Sequence, residues 1–207
     1  MSHEEFKDQM LMNWPERVWI YSPFRPFFLS RHAGYWLKIA GRPTVDLALE
    51  VGCGLGKGAV ILARKMGFRR VVAFDLEAPL ARRAALRTPK NLQDRISFFA
   101  ADVQDIPFSD GQFDAVVNYG IIHHVLDWRR ALAEIARVIK PGGIFYFEEI
   151  YPPLYANFLL KRMLRHPTQD RFDGPLFLET LTAYGFELLD GVKTGSRFGI
   201  VAAARRV

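Results

Sequence analysis

The sequence predicts an α/β fold, a seven-stranded, doubly wound sheet with helices on both faces. Two observations predict it. An apolar run from Val45 to Val51 ends in a glycine-rich turn, and apolar residues at helical spacing follow at once from Ala59 to Met66. Short apolar runs and amphipathic segments then alternate along the chain, which is typical of a largely parallel sheet whose strands are joined by helices. At 207 residues, the chain is long enough for one domain with a full core.

The predicted elements follow one another in a regular order. Strands are predicted at 45–51, 71–75, 96–101, 115–118, 144–150, 186–189 and 198–203. Helices are predicted at 59–66, 80–86, 127–139 and 175–184, with a further apolar helix within 154–167. Asp127 is the expected N-cap of the third helix, and Gly185 is expected to close the last one. The stretch Lys140-Pro141-Gly142-Gly143 is expected to separate the third helix from the fifth strand.

Composition restricts the compartment and the partners. The net charge is +6 and the sequence pI is about 9.6, which suits nucleic acid, an anionic membrane surface or an acidic substrate. The basic residues are scattered, however, as expected of a solvated surface. Cys53 is the single cysteine, which excludes an internal disulfide framework and fits a reducing compartment. No apolar run is long enough to span a membrane, and the first residues lack signal-peptide features, so we expect a cytoplasmic protein.

The glycine-rich turn is the first candidate binding site. It reads Glu50-x-Gly52-x-Gly54-x-Gly56, and Lys57 stands where a dinucleotide-binding fingerprint requires its third glycine. An acidic residue just before the turn repels a pyrophosphate and attracts a cation. The turn therefore predicts a nucleoside-containing cofactor that carries positive charge.

Several segments together resemble one enzyme family. The glycine turn resembles the first motif of the class I S-adenosylmethionine-dependent methyltransferases, FDAVVNYGIIHHV resembles their fourth motif, and ALAEIARVIKPGGIFYFEE resembles their late motif. The matching part runs from Val45 to Ile150 and looks most like the ubiquinone/menaquinone-biosynthesis type of small-molecule methyltransferase. The resemblance implies a Rossmann-like sheet, mostly parallel with an antiparallel last strand. It also implies S-adenosyl-L-methionine as the cofactor and S-adenosyl-L-homocysteine as the product.

The same resemblance implies which residues hold the cofactor. The turn residues expected to hold its methionine part are Glu50, Gly52, Cys53, Gly54 and Gly56. Asp75 lies about 20 residues beyond the turn, where a carboxylate accepts both ribose hydroxyls, and Leu76 follows it; helix capping is the alternative role for Asp75. Asp102 is expected to receive the adenine amino group, and the backbone N–H of Val103 is expected to meet the ring. Asn118, at the end of the fourth strand, completes the predicted cofactor site.

Methyl transfer is an in-line displacement in which alignment of the reactants supplies most of the catalysis. A general base is needed only when the nucleophile arrives protonated, and the candidates are Tyr119, His123 and His124. Adjacent histidines on a helix point in different directions, so at most one is expected to face the cleft. No metal site is predicted, because no third ligand stands at a recognisable spacing. Glu148 and Glu149 alternate faces of their strand; one is expected near the substrate and the other in a cap or a pair with an arginine.

Two segments are expected to cover this core. Residues 1–42 are dense in aromatic and basic side chains and are interpreted as an N-terminal cap over the cofactor cleft. A membrane-surface segment and a nucleic-acid stacking platform are the alternatives. The methyltransferase domain itself is expected over 43–207, and its insertion at 151–174 is interpreted as a lid-like wall of the acceptor pocket.

The fourth strand lacks a motif that is typical of one class of nucleic-acid methyltransferases, and this favours another class of acceptor. Methyltransferases of exocyclic amines in nucleic acids typically carry Asn/Asp-Pro-Pro-aromatic there, whereas this chain has Asn118-Tyr119-Gly120-Ile121. A nucleic-acid partner is therefore not favoured, and a small hydrophobic or amphiphilic acceptor is. The aromatic cap also suits peripheral contact with a membrane surface. The alternatives are an S-adenosylmethionine-binding module without catalysis and a nucleic-acid methyltransferase.

Overall fold

The computed structural model describes residues 13–41, 46–155, 170–190 and 197–207. The strands are β1 (Leu47–Val51), β2 (Arg70–Asp75), β3 (Ile96–Ala100), β4 (Phe113–Tyr119), β5 (Ile139–Ile150), β6 (Phe186–Leu188) and β7 (Gly199–Arg206). The α-helices are α1 (Trp14–Tyr21), α2 (Arg25–Ala40), α3 (Lys57–Ile61), α4 (Ala78–Arg87), α5 (Trp128–Val138), α6 (Pro152–Tyr155) and α7 (Gly174–Ala183). A π-helical turn, Leu62–Met66, continues α3, and 3₁₀ turns lie at Lys90–Leu92 and Ile122–His124.

All seven strands form one sheet in the order β3-β2-β1-β4-β5-β7-β6. β1 pairs in parallel with β2 and with β4, and β7 runs antiparallel to both β5 and β6. The predicted fold class, strand number and antiparallel last strand are confirmed. The direction of winding changes between β1 and β4, and ligands of such sheets bind at the carboxyl ends of the strands at this point.

Side-chain alternation along β1 divides the interior into two cores. Leu49 and Val51 pack on one face of the sheet with α5 and α7, and Ala48 packs on the other face with α2 and α3. Trp36 of α2 is fully buried in the second core, with its ring centroid 5.0 Å from that of Tyr119. The helix α2 is therefore an integral layer of the domain.

The two predicted helix caps are confirmed. Asp127 precedes α5, and its side chain accepts a hydrogen bond from the N–H of Arg130, which satisfies one free donor of the first helical turn. Gly185 follows α7 with φ at 75°, a left-handed conformation that glycine adopts without strain.

The predicted start of the fifth strand is wrong. β5 begins at Ile139, directly after α5, and includes the residues expected to separate the two elements. Ile139 pairs with Phe113 and Ile144 with Ala115, so the intervening residues form an irregularity in the ladder. Gly142 has φ at 80° within this bulge. Because a bulge accommodates extra residues in one strand, the proline and the glycines lie within β5 and do not end it.

Parts of the predicted flanking segments lie outside the described residues. These are residues 1–12 and 42 of the cap and 156–169 of the insertion, which contain most of the helix expected within 154–167. The four residues of α6 are the helical part of the insertion that is described before that gap. Among the helices described, none is both long and apolar enough to cross a membrane.

Candidate active site

The glycine turn between β1 and α3 bends the chain at the carboxyl edge of the sheet. Three of its glycines have positive φ angles, Gly52 at 72°, Gly54 at 50° and Gly56 at 74°, a region that residues with a Cβ rarely adopt. The N–H of Cys53 donates to the carbonyl of Phe74 (2.8 Å), and the N–H of Gly54 donates to Oδ2 of Asp75 (2.8 Å). These bonds hold the turn beside the carboxyl end of β2, next to the carboxylate predicted to bind ribose.

Glu50 directs its carboxylate toward the first turn of α3. The N–H of Ala59 donates to it, and a Cβ on Gly58 would lie 1.8 Å from Oε1. The other oxygen, Oε2, is buried and has no hydrogen-bond partner among the described residues. Burial raises the pKa of Glu50 well above its ordinary value of 4.5. An unsatisfied carboxylate oxygen is costly, so this arrangement fits a ligand that brings a cationic donor.

The hydroxyl of Tyr119 is a second buried polar atom without a partner in the described part of the chain. Burial raises the pKa of Tyr119 well above its ordinary value of 10, and the negative charges of Glu50 and Glu148 act in the same direction. The phenol therefore stays protonated at neutral pH. Tyr119 is suited to donate a hydrogen bond and poorly suited to act as a general base.

One cavity brings these two orphaned groups together with the N-terminal helices. We call it the inner cavity, and its lining includes Ile20, Arg25, Leu29, Glu50, the turn residues 52–55, Lys57, Gly58 and Tyr119. The guanidinium of Arg25 donates to the carbonyl of Tyr119 (2.9 Å) and to Glu148 Oε1 (3.1 Å). A buried carboxylate and a guanidinium in one cavity complement a zwitterion, such as an amino acid.

A second cavity lies along the ends of β2 and β3. We call it the outer cavity, and its lining includes residues 74–77, 101–103 and Val125. Burial raises the pKa of Asp75, although the N–H groups of Glu77 and Gly54 donate to its carboxylate and oppose this effect. Asp102 accepts from the N–H of Gln104 (2.9 Å). Residues common to both cavities are Gly52, Asp75, Ile121 and His124.

The two adjacent histidines have different surroundings. His124 lines both cavities, whereas His123 is buried with Nδ1 2.6 Å from Glu149 Oε2. Their ring centroids are 4.3 Å apart. Of the two histidines, His124 is therefore the one that a ligand in these cavities can contact. This arrangement agrees with the expectation that at most one histidine faces the cleft.

Asn118 is buried within the sheet, in register with Val51 of β1. Its side chain is fully buried, donates to Glu149 Oε1 (2.6 Å) and accepts from the N–H of Ile121 (3.0 Å). It lines neither the inner nor the outer cavity. Its side chain thus holds Glu149, the partner of His123, and does not contribute to the lining of either cavity.

Cys53 lines the inner cavity as a neutral thiol. Burial raises the pKa of the thiol strongly, and the nearby carboxylates of Glu50 and Asp75 add to this effect. Because the thiolate is the nucleophilic form, this cysteine is unsuited to attack a substrate.

Comparison with known proteins identifies the family. Residues 49–147 match the family model described as a methyltransferase domain. A probable S-adenosylmethionine-dependent methyltransferase of Mycolicibacterium smegmatis is 30% identical over 119 residues, which is 58% of this chain and 44% of the relative. Residues 49–147 form an S-adenosylmethionine-dependent methyltransferase domain. A fatty-acid O-methyltransferase of the same organism is 34% identical over 145 residues, or 70% of this chain and 49% of the relative. The chain thus spans about half the length of these relatives, or less.

Solved structures agree on the fold. The complex between the Haloferax volcanii Trm112 methyltransferase activator and the putative methyltransferase gives a TM-score of 0.69 at 19% identity, over 91% of this chain and 96% of that chain. The [4+2]-cyclase SpnF gives a TM-score of 0.62 at 27% identity, over 78% of this chain and 58% of that chain. The methyltransferase fold is therefore shared by a protein whose name states a different reaction.

The sequence did not identify Arg25 as a residue of the inner cavity. The residues before the first strand contain several arginines, and their spacing does not indicate which one reaches the sheet edge. Arg25 does so because Pro26 starts α2 there and because its guanidinium meets Glu148 at the end of β5. His32, nearly two turns further along α2, also contacts the Glu148 carboxylate. Of the two glutamates at the end of β5, Glu148 is thus the one paired with an arginine.

Proposed function

We propose that the protein transfers a methyl group from S-adenosylmethionine to a small lipophilic acceptor. The observation that carries the proposal is the buried Oε2 of Glu50, which has no partner among the described residues and faces a cavity shared with Arg25. An amino-acid head group supplies the ammonium that Glu50 lacks and a carboxylate for Arg25. The family, the glycine turn and the acids of the outer cavity support the same cofactor.

In this proposal, each cavity holds one half of the cofactor. Glu50 and Arg25 hold the ammonium and carboxylate of the methionine part in the inner cavity. Asp75 lies where both cavities meet and accepts the ribose hydroxyls with the lone pairs that its two backbone donors leave free. In the outer cavity, Asp102 accepts the adenine amino group while Leu76 and Val103 enclose the ring.

The cofactor supplies an electrophilic methyl group on a sulfonium when it is bound. The residues of this chain align the acceptor, exclude water and, where the nucleophilic atom of the acceptor is protonated, remove its proton. His124 is suited to the last task, because it lines both cavities and its ring rests against that of His123. His123 is a positioning residue, held by Glu149. Tyr119 is suited to donate a hydrogen bond to the bound ligand.

An acceptor of lipid-like or quinol type fits the walls of the cleft. The side chains of Ile20, Leu29 and Ile121 in the inner cavity and Val125 in the outer cavity are aliphatic. The relative named fatty-acid O-methyltransferase supports the same class of lipid-like acceptor. A carboxylic acid of this type arrives ionised at neutral pH and needs no base, whereas a quinol needs one.

Product formation tests the proposal directly. The full chain is incubated with S-adenosylmethionine and a panel of long-chain fatty acids, quinols, phenols and amines, and a gain of one methyl group is followed by mass spectrometry. We expect methylation of a lipophilic member of the panel. If the product cofactor binds but no member is methylated, the chain is a binding module or, like the cyclase neighbour, serves another reaction. Methylation of RNA or DNA in place of the panel would favour the nucleic-acid alternative.

Replacing Asp75 with alanine is expected to weaken binding of S-adenosylhomocysteine by about one hundredfold. The carboxylate supplies charge-assisted hydrogen bonds to the ligand, each worth roughly 1.5–3 kcal/mol, and it also fixes the N–H of Gly54. Isothermal titration calorimetry measures the change. Asp75→Asn, which keeps one acceptor, is expected to bind with intermediate affinity. Parent-like affinity in Asp75→Ala would contradict the ribose assignment.

Replacing His124 with glutamine is expected to lower kcat on a quinol by about one hundredfold, the usual lower bound for loss of a general base. On an ionised fatty acid, we expect kcat to change by no more than a few-fold. Steady-state kinetics across pH separates the two cases, since the variant loses the pH dependence of the quinol reaction. His123→Gln serves as the control and is expected to lower thermal stability through loss of the Glu149 pair. An unchanged quinol rate in His124→Gln would remove the base assignment.

A further inference from the structure

The N-terminal helices expose an unusual amount of apolar surface next to the cleft. Trp14, Val18, Phe24 and Phe27 are 74%, 61%, 70% and 66% exposed. Trp14, Val18 and Tyr21 stand at positions i, i+4 and i+7 of α1, so they form one stripe along the helix. We call Trp14, Val18, Tyr21, Phe24 and Phe27 the aromatic face. Water-exposed side chains of this size are unfavourable together unless a partner covers them.

Other residues of the same helices contact the rest of the protein. Ile20 lines the inner cavity, and Arg17 forms an ion pair with Glu77 at a distance of 2.7 Å. Leu29 and Trp36 of α2 are buried in the core. The aromatic face is therefore the outer side of the cover over the cleft and is not its lining.

A cavity of about 310 Å³ joins this region to a basic surface on α4. Its lining is Pro26, Leu55, Gly56, Lys57, Val60, Ile61, Ala84, Arg87, Thr88 and Pro89. Two of these residues, Lys57 and Arg87, are cations, the others are uncharged, and no carboxylate is among them. Arg83 lies one turn before Arg87 and is exposed, as is Arg82. The described residues offer none of these three arginines a hydrogen-bonded or ion-paired partner. Leu86, 84% exposed, lies beside them on the helix.

We propose that the aromatic face, together with Lys57, Arg83 and Arg87, docks the protein on an anionic lipid surface. Exposed aromatic side chains bind at the level of the lipid head groups, and arginines without carboxylate partners attract anionic lipids. The apolar cavity between the two parts suits an acyl chain whose phosphate meets Lys57 and Arg87. This proposal goes beyond methyl transfer and is independent of which acceptor is used.

The distribution of charge favours lipid over nucleic acid. Single-stranded nucleic acid binds where aromatic and cationic side chains are interleaved along one groove. Here the stripe of Trp14, Val18 and Tyr21 contains an aliphatic residue, and Arg17 beside it is engaged with Glu77. The exposed aromatic side chains lie on α1 and α2, whereas Arg83 and Arg87 lie on α4. This separation suits a lipid interface, where aromatic side chains insert between the lipids and cations meet the phosphates.

Vesicle sedimentation of the full chain tests the proposal. We expect binding to vesicles of phosphatidylcholine with phosphatidylglycerol and little binding to phosphatidylcholine alone. Arg83→Gln with Arg87→Gln is expected to weaken the partition coefficient about thirtyfold, given the contribution of each arginine near a charged surface. Phe24→Ser with Phe27→Ser is expected to weaken it at least as much, through loss of apolar insertion.

The matched control is Arg69→Gln with Arg70→Gln, which removes the same charge from exposed positions at the start of β2; its partition is expected to change less than threefold. All variants are expected to bind S-adenosylhomocysteine like the parent, so the outcome is separable from that of the cofactor proposal. Equal binding to both vesicle types, or equal weakening by the control, would overturn the proposal. So would retention of RNA in place of vesicles, or a dimer in analytical ultracentrifugation that the Phe24 and Phe27 changes dissociate.

Discussion

Replacing Glu50 with glutamine is expected to weaken binding of S-adenosylhomocysteine by at least about one hundredfold without destabilising the protein. Removing one partner of a buried charge pair costs about 3–5 kcal/mol, which corresponds to this loss or more. Glutamine keeps an oxygen that accepts from the N–H of Ala59. It also removes a buried oxygen, Oε2, that has no hydrogen-bond partner among the described residues of the ligand-free protein, so we expect an equal or higher melting temperature.

The control is Glu134→Gln, because this carboxylate is already paired within the protein. Its oxygens accept from Arg137 and from the N–H of Ile106. Here we expect a small loss of stability and parent-like cofactor affinity, the reverse of the pattern at Glu50. Calorimetry and thermal unfolding measure both quantities. A Glu50→Gln protein that binds like the parent, or that unfolds several degrees earlier, would contradict the role given to Glu50.

The raised pKa of Glu50 predicts how the free energy of unfolding depends on pH. Because burial raises the folded-state pKa of Glu50 above its ordinary value of 4.5, the folded protein retains a proton that the unfolded chain has lost. The contribution of this group to stability is therefore greatest below pH 4.5 and declines as pH rises toward the raised pKa. Urea unfolding at a series of pH values is expected to show this decline in the parent relative to Glu50→Gln. A difference between the two proteins that does not vary with pH would contradict it.

Gly58→Ala is the second change with a large expected effect, a loss of about 3 kcal/mol in the free energy of unfolding together with loss of cofactor binding. The new Cβ would lie 1.8 Å from Oε1 of Glu50 and 2.9 Å from Cε2 of Tyr119. Overpacking at a buried site costs roughly 1–3 kcal/mol. To relieve it, the Glu50 carboxylate must leave the position in which Ala59 holds it. Urea unfolding and calorimetry measure the two effects.

A double-mutant cycle distinguishes this clash from a general weakness of the helix. In a Glu50→Ala background, Gly58→Ala is expected to cost less than in the parent, because the atom that it meets most closely is gone. The matched glycine is Gly34 within α2, where a Cβ would meet only the flexible end of Lys65 at 3.1 Å. Gly34→Ala is expected to leave stability within about 1 kcal/mol of the parent. Additive effects of the Glu50 and Gly58 changes would exclude the proposed clash.

The parts of the fold that sequence predicts well are those with a strong local cause. Leu49 and Val51 in an apolar run, the glycines after them, and Asp127 as a cap each have a meaning that does not depend on distant residues. The antiparallel direction of the last strand is implied by the family resemblance. Only the predicted start of the fifth strand is wrong, because Pro141 and the two glycines after it normally end an element, whereas pairing across the bulge with β4 keeps them in the ladder.

Several features of the candidate active site depend on contacts between distant residues, which the spacing of residues in the sequence does not reveal. Asp75 is the last residue of β2 and Asp102 lies two residues after the end of β3, so their position at the sheet edge could be predicted. The function of Asn118 as a support for Glu149, and the approach of Arg25 to the inner cavity, depend on how β5 and α2 pack against β4. The choice between His123 and His124 likewise required knowing that Glu149 holds the first of them.

Calorimetric titration of the full chain with S-adenosylhomocysteine tests the central claim most directly, that the Glu50 and Arg25 cavity and its outer neighbour hold this cofactor. We expect one site per chain, with affinity in the micromolar range that is usual for enzyme ligands, and loss of measurable heat in Glu50→Gln at the same concentrations. The absence of binding by the folded parent at millimolar ligand would contradict the account, as would parent-like binding by Glu50→Gln.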